Sequence, residues 1–163
     1  MTFGIRRAVP GDYKDIGTLT AEAYLADGFV PAGSDYESRL RDSADRATRA
    51  ELWVAADRTG GLVGSVTFCG PGSAYREIAR DGEGEFRMLA VSPAARGQGV
   101  GTALTQHCLQ RSRDWGLSRV VLCSASAMKT AHRLYQRLGF TRLPERDWEP
   151  VPDVKLLAFT LDL

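Results

Sequence analysis

The sequence predicts one mixed α/β domain over residues 1–163. Three observations lead there. Short apolar runs of strand character alternate with longer segments of helical periodicity. A glycine-rich turn joins one such strand directly to one such helix. No internal repeat, low-complexity tract or linker divides the 163 residues, a length that suits a single core.

Phe3 to Val9 reads as the first strand, broken by Pro10-Gly11. Asp12 is placed to cap a helix with Tyr13, Ile16, Leu19, Thr20 and Ala23 on one face. Asp27 to Ser34 is a turn rich in glycine and proline, and the charged stretch Asp35 to Arg49 reads as a second helix. Glu51 to Asp57 and Leu62 to Cys69 flank Thr59-Gly60-Gly61 as a β-hairpin. Gly70 to Gly82 is a polar loop, and Glu83 to Val91 is the fourth strand. Gly99 to Trp115 is a helix with Leu104, Cys108 and Leu109 turned inward, ended by Gly116. Arg119 to Cys123 is a strand, and Met128 to Leu138 is a helix stopped by Gly139. Phe140 opens a short strand, Pro144 to Asp153 is a proline-bearing loop, and Val154 to Leu161 closes the sheet.

Composition narrows the function. Hydrophobic residues make up 44% and charged residues 25%, an ordinary globular balance. A net charge of +1 gives no reason to expect a nucleic-acid or membrane partner. No apolar stretch is long enough to span a bilayer, and Met1 to Arg7 has no apolar leader core. Cys69, Cys108 and Cys123 are few, odd in number and lack C-x-x-C spacing, so they read as reduced thiols of a cytoplasmic protein. No His/Cys cluster suggests a metal.

The most informative segment is Val91-Ser92-Pro93-Ala94-Ala95-Arg96-Gly97-Gln98-Gly99-Val100-Gly101-Thr102. Glycines ahead of a helix let backbone approach a ligand closely. The first helical N–H groups lack intrahelical partners and sit at the positive end of the helix dipole. Such a place binds phosphate. A Walker loop would need lysine before Thr102, where Gly101 stands. A dinucleotide fingerprint would need a third glycine at the position of Thr102 and an acid after the next strand, where Ser124 and Ala125 stand.

Arg96-x-x-Gly99-x-Gly101 after a strand resembles the pyrophosphate signature of the GNAT acyltransferase superfamily. A second motif, Ala131-His132-Arg133-Leu134-Tyr135-Gln136-Arg137-Leu138-Gly139-Phe140, resembles that family's A-x-x-L-Y-x-x-x-G-F helix and turn. Ile5 to Ala8 leading to Asp12 is similar to its first strand and helix start. Many members carry asparagine where this chain has Met128, so that side-chain contact is not carried over. The resemblance implies a central sheet of six or seven strands with about four helices, splayed between the fourth and fifth strands to admit acetyl-CoA as cosubstrate. It implies cofactor contacts from Leu89, Ala90, Val91, Arg96, Gly97, Gln98, Gly99, Val100, Gly101, Thr102, Ala131 and Tyr135. The family's habit of dimerising also admits a homodimer.

Acyl transfer from a thioester to an amine needs a neutral amine, although an alkyl ammonium has a pKa near ~10.4. It needs donors for the carbonyl oxygen and a proton for a thiolate whose thiol has a pKa of about 8.5. Glu83 and Glu85 fall on one face of a strand, where two carboxylates raise each other's pKa. Glu85 matches the family's glutamate base, which usually works through water. Backbone N–H groups near Leu89 to Val91 match its oxygen-facing strand, and Tyr135 matches its acid. His107 and His132 have no family role and read as helix surface or packing residues; Arg96 either meets phosphate or is a solvated loop side chain. The expected activity is N-acetylation of a primary amine by direct attack, with a small molecule as acceptor. A protein N-terminus or lysine is the competing acceptor. A non-catalytic acyl-CoA-binding regulatory domain is the competing class, which retention of Tyr135 and Glu85 disfavours. Trp148 either lines the acceptor pocket or covers the sheet edge.

Overall fold

The computed structural model describes residues 2–163. Its strands are β1 (Phe3–Arg7), β2 (Glu51–Asp57), β3 (Leu62–Cys69), β4 (Glu83–Val91), β5 (Arg119–Ala125), β6 (Thr141–Arg142), β7 (Trp148–Val151) and β8 (Val154–Asp162). Its helices are α1 (Tyr13–Ala26), α2 (Asp35–Arg41), α3 (Ser43–Arg49), α4 (Val100–Asp114) and α5 (Lys129–Arg137). The described strands form one mixed sheet in the order β1-β2-β3-β4-β5-β8-β6, with β7 added to β8. The β4–β5 pair is parallel and the others are antiparallel.

The expected hairpin is present as β2 and β3, and β4 has the bounds read from the sequence. Three local expectations are corrected. The charged stretch from Asp35 to Arg49 is two helices, because Asp42 leaves helical geometry (φ −86°, ψ 69°) and its carboxylate accepts from Asp45 N. Asp12 does not cap α1: its carboxylate accepts from Val9 N at 2.9 Å and pairs with Arg6 at 2.7 Å. The expected loop Pro144 to Asp153 contains β7, a short edge strand, which lifts the sheet to eight strands. An edge strand tolerates the proline at 150 because one side of it needs no ladder bond.

The main core lies between the sheet and the α4–α5 face. Val100, Leu104, Cys108 and Leu109 of α4 are all buried there, following the i, i+4 spacing of an amphipathic helix. The opposite face carries α1 to α3, where Ile16 meets Leu52 and Val54, and Ala21 meets Leu40 and Met88. Arg111 of α4 grips Glu51 of β2 through two bonds of 2.8 and 2.9 Å, which fixes the far end of the helix.

The near end of α4 is set by a glycine. A Cβ at Gly64 would lie 2.7 Å from Val100 Cγ1, 2.9 Å from Leu104 Cδ1 and 3.2 Å from the Ala90 carbonyl. Gly64 therefore decides how closely α4 approaches the sheet. Gly64→Val should destabilise the protein by about 1–3 kcal/mol, as overpacked cores do, measured by denaturant unfolding; an unchanged midpoint would show that the helix shifts freely.

Candidate active site in the cleft between β4 and β5

β4 pairs with β5 at Glu83, Gly84 and Glu85 only. Beyond that the strands part, and β5 continues against β8 as far as Ala125. The parting coincides with a bulge in β4. Ser65 faces Ala90 while Thr67 faces Arg87, so β4 holds one residue more than β3 over this stretch. Met88 takes a left-handed backbone (φ 57°), a conformation that costs of order 1–3 kcal/mol for a non-glycine residue. Burial of its side chain among Ala21, Val30 and Leu40 offsets that cost.

A cleft of about 650 Å³ opens where the strands diverge. Leu89, Ala90 and Val91 line it from β4, and Ala131 and Leu134 from α5. Arg96, Gly97, Gly99, Val100, Gly101 and Thr102 line it from the glycine loop and the start of α4. Gly97 and Gly99 have φ of 75° and 84°, which side chains rarely adopt. Among the described residues no side chain caps the first turn of α4, so its leading N–H groups are free for an anion. Lys129 and Arg137 add positive charge at the rim. These features fit a pyrophosphate-bearing thioester. A shallower groove of about 270 Å³ beside Glu51 and Trp115 contains none of the glycine loop.

Two expected contacts stand apart from this lining. Gln98 turns its amide to the Ala94 carbonyl at 3.3 Å. Tyr135 is 95% buried behind the cleft, with Phe86, Phe140 and Phe159 rings 5.8–6.0 Å away. Burial raises its pKa further above the ordinary phenol value, so the hydroxyl keeps its proton at neutral pH, as an acid must. Arg96 pairs with Asp27 at 3.1 Å, across the cleft mouth.

The two strand carboxylates have diverged, and the expectation that they raise each other is corrected. Glu83 is gripped by Arg146, bonded to Arg80 N and 3.6 Å from Arg119; these contacts outweigh burial and hold its pKa below the usual range. Glu85 is fully buried. Burial pushes it up to about 7, against the opposing pull of three backbone N–H bonds, while the charge of Glu77 pushes the same way as burial. Those bonds run from Glu77, Ile78 and Ala79 to Oε1 at 2.9, 3.1 and 3.0 Å. Oε2 has no partner among the described residues.

His107 and His132 are packing residues. His107 stacks edge-on against Trp53 at 4.1 Å. His132 Nε2 meets Ser124 Oγ at 3.1 Å and ties α5 to β5. Trp148 sits in β7 opposite Leu156. The sequence reading missed Tyr24, which lines the cleft together with Phe29 from the other face of the sheet. It also missed the ion pair of Arg87 with Glu77, 3.1 Å apart. Only the basic residues at 129 and 137, one just ahead of the second motif and one inside it, left a signal that could have been used.

Glu85, fully buried and outside the cleft lining, makes stability depend on pH. Its folded pKa of about 7 lies above its ordinary 4.5, so its protonated form stabilises the fold below pH 4.5, and that contribution fades as pH rises through 7. Glu85→Gln keeps an oxygen for the three N–H donors and removes the charge. The variant should therefore gain on the wild type between pH 5 and pH 8, by up to about 3 kcal/mol at the top. Thermal unfolding across that range checks it; parallel curves would show that Glu85 is ionised throughout.

Comparison with known proteins agrees with this geometry. The model of the acetyltransferase (GNAT) family matches residues 18–140. A mycothiol acetyltransferase from Cellulomonas flavigena is 34% identical over 147 residues, covering 85% of this chain and 40% of its own. The chain thus spans about two fifths of that relative's length. A GNAT acetyltransferase structure from Staphylococcus aureus Mu50 superposes with a TM-score of 0.79 at 12% identity, covering 99% of both chains. The structure of yncA from Salmonella typhimurium with acetyl-CoA gives 0.70 at 24%, covering 100% of this chain and 95% of that one. Among the described residues no helix is long and apolar enough to cross a membrane. With the family model spanning the glycine loop, the splayed strands and the tyrosine helix together, the chain belongs to the GNAT acetyltransferase family.

Proposed function

We propose that this chain is an N-acetyltransferase that moves acetyl from acetyl-CoA to a small primary amine by direct attack. One observation carries the reading: the open edge of β4 and the uncapped start of α4 face the same cleft. The cosubstrate supplies an activated thioester. The N–H groups of Gly99 to Thr102 hold its pyrophosphate, with Lys129 and Arg137 at the rim. Leu89, Ala90 and Val91 offer backbone bonds to the extended arm in place of the missing β5 ladder.

Tyr135 keeps a proton at its hydroxyl for the departing sulfur. Glu85 accepts a proton at Oε2, relayed from the amine by water, since Oε1 is occupied by the 77–79 backbone. A pKa of about 7 suits that task at neutral pH. A small-molecule acceptor is favoured by relatives named mycothiol acetyltransferase. A cytoplasmic setting is favoured by the three free thiols.

Release of CoA on addition of primary amines tests the reading directly. Tyr135→Phe should lower kcat by about 10²-fold or more while leaving acetyl-CoA affinity within about twofold, because Tyr135 stands outside the cleft lining that holds the cosubstrate. Unaltered turnover in this variant would remove Tyr135 as the acid.

A further inference from the structure

The bulge in β4 does more than part the sheet. It sets Arg87 and Met88 side by side against α1 and α2. Tyr24, Phe29, Tyr36 and Tyr75 pack around this point, and the first two also line the cleft. An aromatic wall therefore runs continuously from the cleft to Arg87. The Arg87 guanidinium donates to the Tyr75 carbonyl at 3.0 Å and lies over the Tyr75 ring, with Tyr36 in the same cluster. Its ion-pair partner Glu77 is one-fifth exposed.

Behind this wall lies an unbalanced charge. Arg46 is fully buried. It bonds Thr67 Oγ1 at 3.0 Å and the Leu40 carbonyl at 2.8 Å, and its Nε has no partner among the described residues. No carboxylate among those residues forms an ion pair with it: Asp45 is engaged by Tyr75 and Arg49, and exposed Asp42 acts on it only at longer range. The charge of Arg46 reaches the hydroxyls of Tyr75, Tyr24 and Tyr36. Arg87 is thus paired with Glu77, whereas buried Arg46 has no carboxylate in ion-pair contact among the described residues. A buried cation without a counter-charge is costly, and an anionic group on a ligand would supply it.

We propose that the acceptor is an amine carrying a carboxylate beside its amino group, an α-amino acid with an apolar or aromatic side chain. Arg87 binds the carboxylate, Arg46 supplies the positive field from behind, and Tyr24, Phe29 and Tyr36 take the side chain. Glu77 lies where the amino group would meet it. A lysine-rich peptide would meet two guanidinium groups and is disfavoured. This inference rests on the acetyl-transfer reading above.

The test is CoA release by the full chain saturated with acetyl-CoA. Phenylalanine, phenylalaninamide and phenethylamine are compared, then the other protein amino acids with their decarboxylated amines. The carboxylate-bearing amine of a pair should have a kcat/KM at least about tenfold above its neutral counterparts, the scale of one charge-assisted contact. Arg87→Met should bring that ratio to about one, chiefly through KM, with acetyl-CoA binding kept; Arg87→Lys should retain part of it. If Arg87→Met fails to fold, Tyr36→Phe, which removes a polar hydroxyl from the aromatic cluster around Arg87, should still cut the ratio severalfold. Equal or better use of the decarboxylated amines by the wild type would overturn the proposal. So would acceptance of none of the amino acids while simple amines are acetylated. Absence of both CoA release and acetyl-CoA-dependent stabilisation would instead sink the acetyl-transfer reading, and this inference with it.

Discussion

The parting of β4 from β5 is the constraint on which the rest of the molecule depends. Three residue pairs hold the strands together, and then β5 turns its pairing wholly to β8. The edge of β4 from Phe86 onward is left without a ladder partner on that side, although Met88 and Ala90 are nearly buried. Backbone polar groups in such a place need partners. Everything nearby is arranged around that need. The bulge at Met88 re-aims the strand, Gly64 lets α4 close over it, and the glycine loop brings uncapped N–H groups to the same opening.

The two sides of the cleft solve different electrostatic problems. The α4–α5 side offers backbone donors and the exposed cations Lys129 and Arg137, an arrangement for phosphate that water can refill. The α1–α2 side buries its charges. Arg46 and Arg87 lie among tyrosine rings, and Glu77 and Glu85 are both raised chiefly by loss of water. A net charge of +1 hides this division, because Glu51–Arg111, Glu83–Arg146 and Arg6–Asp12 cancel elsewhere in the fold.

How much of this was legible in the sequence depends on whether the cause was local. The bounds of β4, the glycine turn and the inward face of α4 follow from periodicity and from backbone conformations that glycine allows, so they could be read from neighbouring residues. The break at Asp42 could not, since a charged stretch with few apolar positions carries little periodic signal. Nor could the bulge at Met88, where no glycine marks a left-handed residue. The fates of Glu83 and Glu85 depend on Arg146, 63 positions beyond Glu83, and on a loop folded back across the sheet. Identical residue types two positions apart thus became an ion pair and a buried carboxylate near neutrality. The family motifs pointed to Tyr135 and the loop, but nothing in them pointed to Tyr24, Arg46 or Arg87, which meet only in the folded chain.

Amide hydrogen exchange with and without acetyl-CoA tests the central claim most directly, because the cosubstrate is proposed to lie against named backbone groups. Slowed exchange concentrated at Leu89 to Val91 and Gly97 to Ala103, with the groove at Gly70 to Ser73 unchanged, is the predicted result. Protection centred on that groove, or none on β4 at saturating acetyl-CoA, would contradict it: the opening between β4 and β5 would then be a feature of packing and not a binding site.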